Sequence, residues 1–393
     1  MAAVVVAQLG LIGCLFGVTA IGRQAWQCGH GFMPALPQGA TVQEPPPFRF
    51  SAHAGSLQVA AVCPRVHLYI NIIVMNVLSF IKRWSLVVSL LAGTLIYLLF
   101  SRVSFLEPIG ADAEPLLVGA LPVLLFVLLF VTFCKIDVRD LRPRPWHFWL
   151  QLLRIVLSLA LVAGIVCAGV PGVRLVLVGV FVCVACPTAA AAAVVTEKLG
   201  GSIASMTIYT IIDNVVTSVV VPLLLPLIER GVDVSFFTAM LMVLRNVAFV
   251  LVVPLALALL CRRLVPRITS AIAGVRNLAF YIWCVNLAIV TGVTVRNILH
   301  ATVSGSTLVM LLALPLLVTL ALFAMGKAVG HAYGDSVSAG QALGQKNTVV
   351  GIWIALTFLD PLSALAPGAY VIWQNLVNAW QIWYKEKYGR VKW

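Results

Sequence analysis

The sequence predicts an all-α polytopic membrane protein: ten transmembrane helices in an inverted five-plus-five repeat, with two broken, crossing helices as spans four and nine. Three observations carry this. Of 393 residues, 62% are hydrophobic and only 10% charged, whereas soluble domains carry about 25% charged residues. The apolar residues fall into runs of about 20, the length a helix needs to cross a ~30 Å hydrocarbon core. Two of these runs are interrupted, one by Cys186-Pro187-Thr188 and the alanines Ala189 to Ala193, the other by GQALGQKNT, Gly340 to Thr348. They stand fourth in each set of five spans, and paired interruptions at matching places point to the binding site of a transporter.

The amino-terminal stretch stands apart. Residues 1–74 open with an apolar run that lacks the basic lead of a signal peptide. A Pro/Gly-rich stretch with Pro45, Pro46 and Pro47 follows. This segment reads as an extension of doubtful status, with a start-site artefact, a cleaved targeting segment and an extra span as the alternatives. Met75 begins MNVLSFIKRW, which reads as an ordinary start ahead of a first span. The transporter unit is therefore assigned to 75–393.

From Met75 the predicted spans lie at approximately 84–101, 115–134, 147–168, 172–195, 202–228, 235–261, 277–295, 305–328, 337–358 and 365–384. Alternating the loops between two sides gathers Lys82, Arg83, Lys135, Arg139, Arg262 and Lys385, among others, on one side. Arg102, Arg174, Arg230 and Arg296 fall on the other. The positive-inside rule then places the residue-75 end and the carboxyl terminus in the cytoplasm. The same scatter of basic residues through short loops explains the net charge of +13 without a nucleic-acid partner. Of the nine cysteines only Cys183 and Cys186 stand as a CxxC pair, and because it lies inside an apolar run the cysteines read as small buried hydrophobes.

The polar residues inside the spans are few, which makes them informative. Lysine at a helix centre in lipid costs roughly 2.5–3.5 kcal/mol, so Lys346 in span nine must face a polar interior. Gln345 and Asn347 flank it, and Gly340 and Gly344 loosen the same turns. In span five, Thr210, Asp213, Asn214 and Thr217 share one helical face. A buried aspartate and a buried lysine in one bundle are cheapest when they meet, so Asp213 is expected to pair with Lys346. That pair reads either as a structural lock between the two helices or as a participant in transport.

The CPTAAAA run, the polar fifth span and the segment GQKNTVVGIWIALTFLDPLSALAPGAYVIWQNLVNAW resemble the bile acid:sodium symporter family and its wider superfamily. The resemblance covers most of 75–393 and includes Pro367, Gly368, Trp373 and Asn375 after span nine. It implies a core domain of spans 3–5 and 8–10 moving against a panel of spans 1, 2, 6 and 7, with amphipathic or small organic anions as substrates. Departures accompany the likeness. Where the family carries a sodium-binding Ser-Asn pair in span four, this chain has Ala192 and Ala193. The family's Glu-x-Gly-x-Gln-Asn of span nine reads Ala342-Leu343-Gly344-Gln345-Lys346-Asn347 here, and Met206 replaces one hydroxyl ligand while Thr210 keeps another. Sodium needs several hard oxygen ligands, so the usual coupling is expected to be lost. A lysine ammonium at that place can stand in for the cation or exchange a proton.

The expected function is secondary transport of a small or amphipathic organic anion by alternating access. The substrate-binding and coupling residues are Thr188, Thr210, Asp213, Asn214, Gln345, Lys346, Asn347 and Asn375. The alternative is a transporter-like membrane ligand sensor or scaffold that does not transport. Neither a cofactor nor a metal is expected, and no enzymatic constellation (HExxH, G-x-S-x-G, P-loop) occurs in the chain. The partners are the organic anion and the lipid bilayer of a cell membrane, taken as a bacterial inner membrane. Further polar residues read as follows: Arg154 as a snorkelling side chain, Arg245 as a mid-depth cation of span six, and Asn286, Thr291 and Thr294 as makers of interhelical hydrogen bonds. Gln374, Asn375 and Asn378 form one polar face of span ten.

Overall fold

The computed structural model describes residues 83–229, 248–275 and 277–391, with Phe80, Ile81, Thr238, Leu241 and Arg245 besides. The extension 1–74, the start at Met75 and much of the sixth predicted span lie outside the described residues. Among the described residues the protein is all-helical, without strands.

Proline, glycine and short polar side chains mark the helix ends. After α1 (Ser85–Arg102) and α2 (Glu107–Phe133), α3 (Pro145–Cys167) and α4 (Pro171–Ala185) each begin on a proline, where the missing N–H has no intrahelical partner anyway. Helix α5 (Ala192–Leu199) stops at Gly200, whose φ of 82° is left-handed. Ser202 then caps α6 (Ile203–Ile228) by accepting from the Ser205 N–H. A π-helical turn, Ala248–Val252, enters α7 (Val253–Leu264), followed by α8 (Pro266–Gly274) and α9 (Leu278–Leu299). Ser304 caps α10 (Gly305–His331), Asp335 caps α11 (Ser336–Gly344) and Asn347 caps α12 (Thr348–Phe358). The last helix, α13 (Leu365–Tyr388), ends at left-handed Gly389.

Six of these helices, α1, α2, α3, α6, α9 and α10, are long and apolar enough to cross a membrane, and α4 and α12 are shorter apolar helices. Large apolar side chains such as Leu95, Leu116, Leu223 and Leu317 are more than half exposed, as suits a surface solvated by lipid. Helix α9 packs on α1 and α2, and α2 also meets α7. Elsewhere α10 packs on α11, α13 and α4, and α3 on α4 and α6. The approach of α1 to α9 is close enough that a Cβ on Gly93 would run into the Ala288 carbonyl, a small-residue contact typical of helices packed in lipid. Helix α13 touches α1, α9, α4 and α12, which puts its polar face against the two interruptions.

Candidate functional site

The interruptions predicted in spans four and nine are real breaks, and they meet. Cys186 is extended (φ −63°, ψ 149°), the conformation a following proline imposes, and α4 ends there. Gln345 is likewise extended (φ −100°, ψ 105°) at the end of α11. Backbone groups freed by both breaks must find partners away from water, and they find each other. Thr188 and Lys346 form an isolated antiparallel bridge. The Ala189 N–H donates to the Gln345 carbonyl at 3.0 Å and the Asn347 N–H to the Pro187 carbonyl at 2.7 Å.

Side chains complete the junction. Thr188 Oγ1 donates to the Ala342 carbonyl (2.7 Å) and Tyr370 Oη to the Gly344 carbonyl (2.8 Å). Gln374 reads both faces of the Lys346 peptide group, accepting its N–H at 2.8 Å and donating to its carbonyl at 3.2 Å.

Beside this junction lies a cavity of about 160 Å³. Its polar wall comprises Thr188, Thr210, Asn214, Asn286, Lys346, Asn347, Thr348 and Gln374, and its apolar wall comes mainly from α2, α9 and α12, including Leu125, Trp283 and Trp353. Lys346 is wholly buried, and its Nζ has no hydrogen-bond partner among the described residues.

Asp213 corrects the expected pairing. It forms no ion pair with Lys346; its partner is Arg154 on α3, with Nη2 3.1 Å from Oδ1. Gln151 Nε2 donates to the same oxygen at 2.7 Å, and the Thr188 N–H donates to Oδ2 at 2.5 Å. Arg154 therefore does not snorkel; it is 2% exposed and spans between helices. A lysine on the neighbouring break lost to an arginine whose planar head reaches several acceptors at once. The signal available in the sequence was Gln151 three residues before Arg154, which puts both polar groups on one face of α3.

Of the other expected site residues, Thr188, Thr210, Asn214, Lys346 and Asn347 line the cavity together, whereas Asp213, Gln345 and Asn375 are buried outside its lining. Neither polar atom of the Gln345 side chain has a partner among the described residues. Asn375 Nδ2 donates to the Val371 carbonyl within its own helix at 2.8 Å. Thr291 bonds its own helix too, at the Leu287 carbonyl (2.7 Å), rather than a neighbour. Arg245 is exposed, and Asn246 beside it lies outside the described residues. Ala192, Ala193, Met206 and Ala342, the positions where the resemblance locates sodium ligands, all fall in one buried apolar cluster with Tyr209 and Leu343.

An all-helical chain with several long apolar spans is a multi-pass membrane protein, and its buried polar groups concentrate where two broken helices meet. A family model described as "Sodium Bile acid symporter family" matches residues 122–301, from the second half of α2 through α9. Over that stretch, just under half of the chain, the protein is similar to a family that its description names as one of symporters. No curated protein matches the chain.

Proposed function

We propose that the protein moves a small or amphipathic organic anion across the membrane by alternating access, without the family's usual sodium coupling. The observation that carries this reading is the Lys346 ammonium, wholly buried at the wall of a cavity and without a hydrogen-bond partner among the described residues. A cation so placed lacks the acceptors that normally offset its lost hydration, and a substrate carboxylate supplies them. The apolar wall opposite, with Trp283 and Trp353, suits the hydrocarbon body of an amphipathic anion. The apolar filling around Ala192, Ala193, Met206 and Ala342 supports the loss of the usual sodium ligands.

In this reading α4 with α5 makes span four, α11 with α12 span nine, and α13 span ten, completing an inverted five-plus-five repeat. Spans 3–5 and 8–10 form the core, spans 1, 2, 6 and 7 the panel, and both the residue-75 end and the carboxyl terminus are cytoplasmic. The membrane is a cell membrane, and Asp213 serves through its pairing with Arg154 rather than by touching substrate. Uptake of radiolabelled cholate and a series of smaller carboxylates into proteoliposomes holding the full chain tests the proposal. Saturable uptake in sodium-free medium, lost in K346Q, is expected. Binding of the same anions without any flux would overturn transport in favour of a sensor.

A further inference from the structure

The Arg154 head group sits in surroundings that differ from an ordinary ion pair. Five oxygens converge on its two terminal nitrogens: the Ala185 carbonyl at 2.9 Å and Thr217 Oγ1 at 2.6 Å on Nη1, with Gln151 Oε1 at 2.8 Å, Asp213 Oδ1 at 3.1 Å and the Asp213 carbonyl at 3.5 Å on Nη2. Its Nε–H has no acceptor among the described residues, so the oxygens gather at the tip of the side chain and not around its whole length. Four of the five are neutral, and they come from three helices, α3, α4 and α6.

Ala185 is the last residue of α4, where carbonyls lack an intrahelical donor and the helix dipole presents its negative end. The single carboxylate gives the cage one negative charge against the single positive charge of the guanidinium. Neutral carbonyl, amide and hydroxyl oxygens around one carboxylate are the ligand set of a hard cation, and one net charge suits a monovalent ion.

We infer that this oxygen cage is a monovalent-cation site occupied by the protein's own guanidinium. The tethered cation joins α3, the end of α4 and α6. Its counter-ion Asp213 holds the interrupted segment through the Thr188 N–H. A guanidinium is a permanent cation, so the junction of the broken helices is assembled without an ion drawn from solution. The inference stands on the geometry of the cage and does not depend on transport, which uptake assays test separately.

Removing the tether should vacate the site for a free ion. The experiment measures the melting temperature of the purified full chain and of R154A in equal concentrations of sodium chloride, potassium chloride and choline chloride. Wild type is expected to melt at the same temperature in all three. R154A is expected to melt lower than wild type in choline, and to gain a saturable rise of a few degrees with sodium or potassium, as binding to the folded state alone requires. R154Q, which keeps a hydrogen-bonding head without the charge, serves as the second carrier. R154A/D213N, with the carboxylate neutralised, is expected to show no preference for the small cations over choline. The inference falls if neither R154A nor R154Q gains a shift over choline. It falls equally if neither can be recovered folded in sodium-containing buffer, or if R154A/D213N responds as strongly as R154A.

Discussion

Burying a cation is unfavourable unless acceptors surround it, and Arg154 and Lys346 differ in this respect. Arg154 is satisfied by a carboxylate and neutral oxygens, so removing the charge of Asp213 strands it. D213N should lower stability by about 3–5 kcal/mol, the range for breaking a buried pair from one side, and thermal unfolding measures it. Lys346 Nζ has no such partners among the described residues. K346Q should therefore melt at or above the wild-type temperature while losing its response to organic anions. A large destabilisation of K346Q would mean that the ammonium has a partner within the protein. The sequence singled out Lys346 and Asp213 as expensive in lipid, read Arg154 as a snorkelling side chain, and placed Lys346 at a break. It could not decide which cation Asp213 meets, because that depends on the distance between α3 and α6. Residue spacing along one chain carries no information about that distance.

At the scale of elements, much was legible because local chemistry dictates it. Pro145 and Pro171 start α3 and α4 where the hydropathy predicted spans to begin, and Pro187 forces the extended residue that ends α4. That the two breaks approach closely was expected from the alanines of one and the glycines of the other, and the Thr188–Lys346 bridge is how their freed backbone groups are satisfied. The role of Gln374 was not legible. It appeared only as part of a polar face on span ten, and its double contact to the Lys346 peptide depends on how α13 lies against the break. Replacing it with leucine should leave the Lys346 N–H and carbonyl without their side-chain partner, costing about 1–3 kcal/mol for a buried group left unmet. Helix contacts made by small residues give a second prediction. On Gly93 a methyl has no room beneath the Ala288 backbone, so G93A should force α1 from α9 and lower stability by about 1–3 kcal/mol, the range for overpacking. A melting temperature equal to wild type would show that the two helices can shift without loss.

For the whole molecule, the proposed orientation rests on the distribution of Lys and Arg in the loops, which composition alone conceals. Cysteines introduced at Arg139, between α2 and α3, and at Arg102, at the end of α1, should react with a membrane-impermeant maleimide from opposite faces, Arg139 from the cytoplasmic one. Labelling of both from the same side would overturn the proposed alternation. The central claim is that an organic anion binds at Lys346 without help from sodium. Its most direct test is the melting temperature of the purified full chain titrated with cholate and smaller carboxylates, in sodium chloride and in choline chloride. The account predicts saturable stabilisation by one class of anion, equal in the two salts and absent in K346Q. Stabilisation that appears only with sodium, or that survives in K346Q, would contradict it.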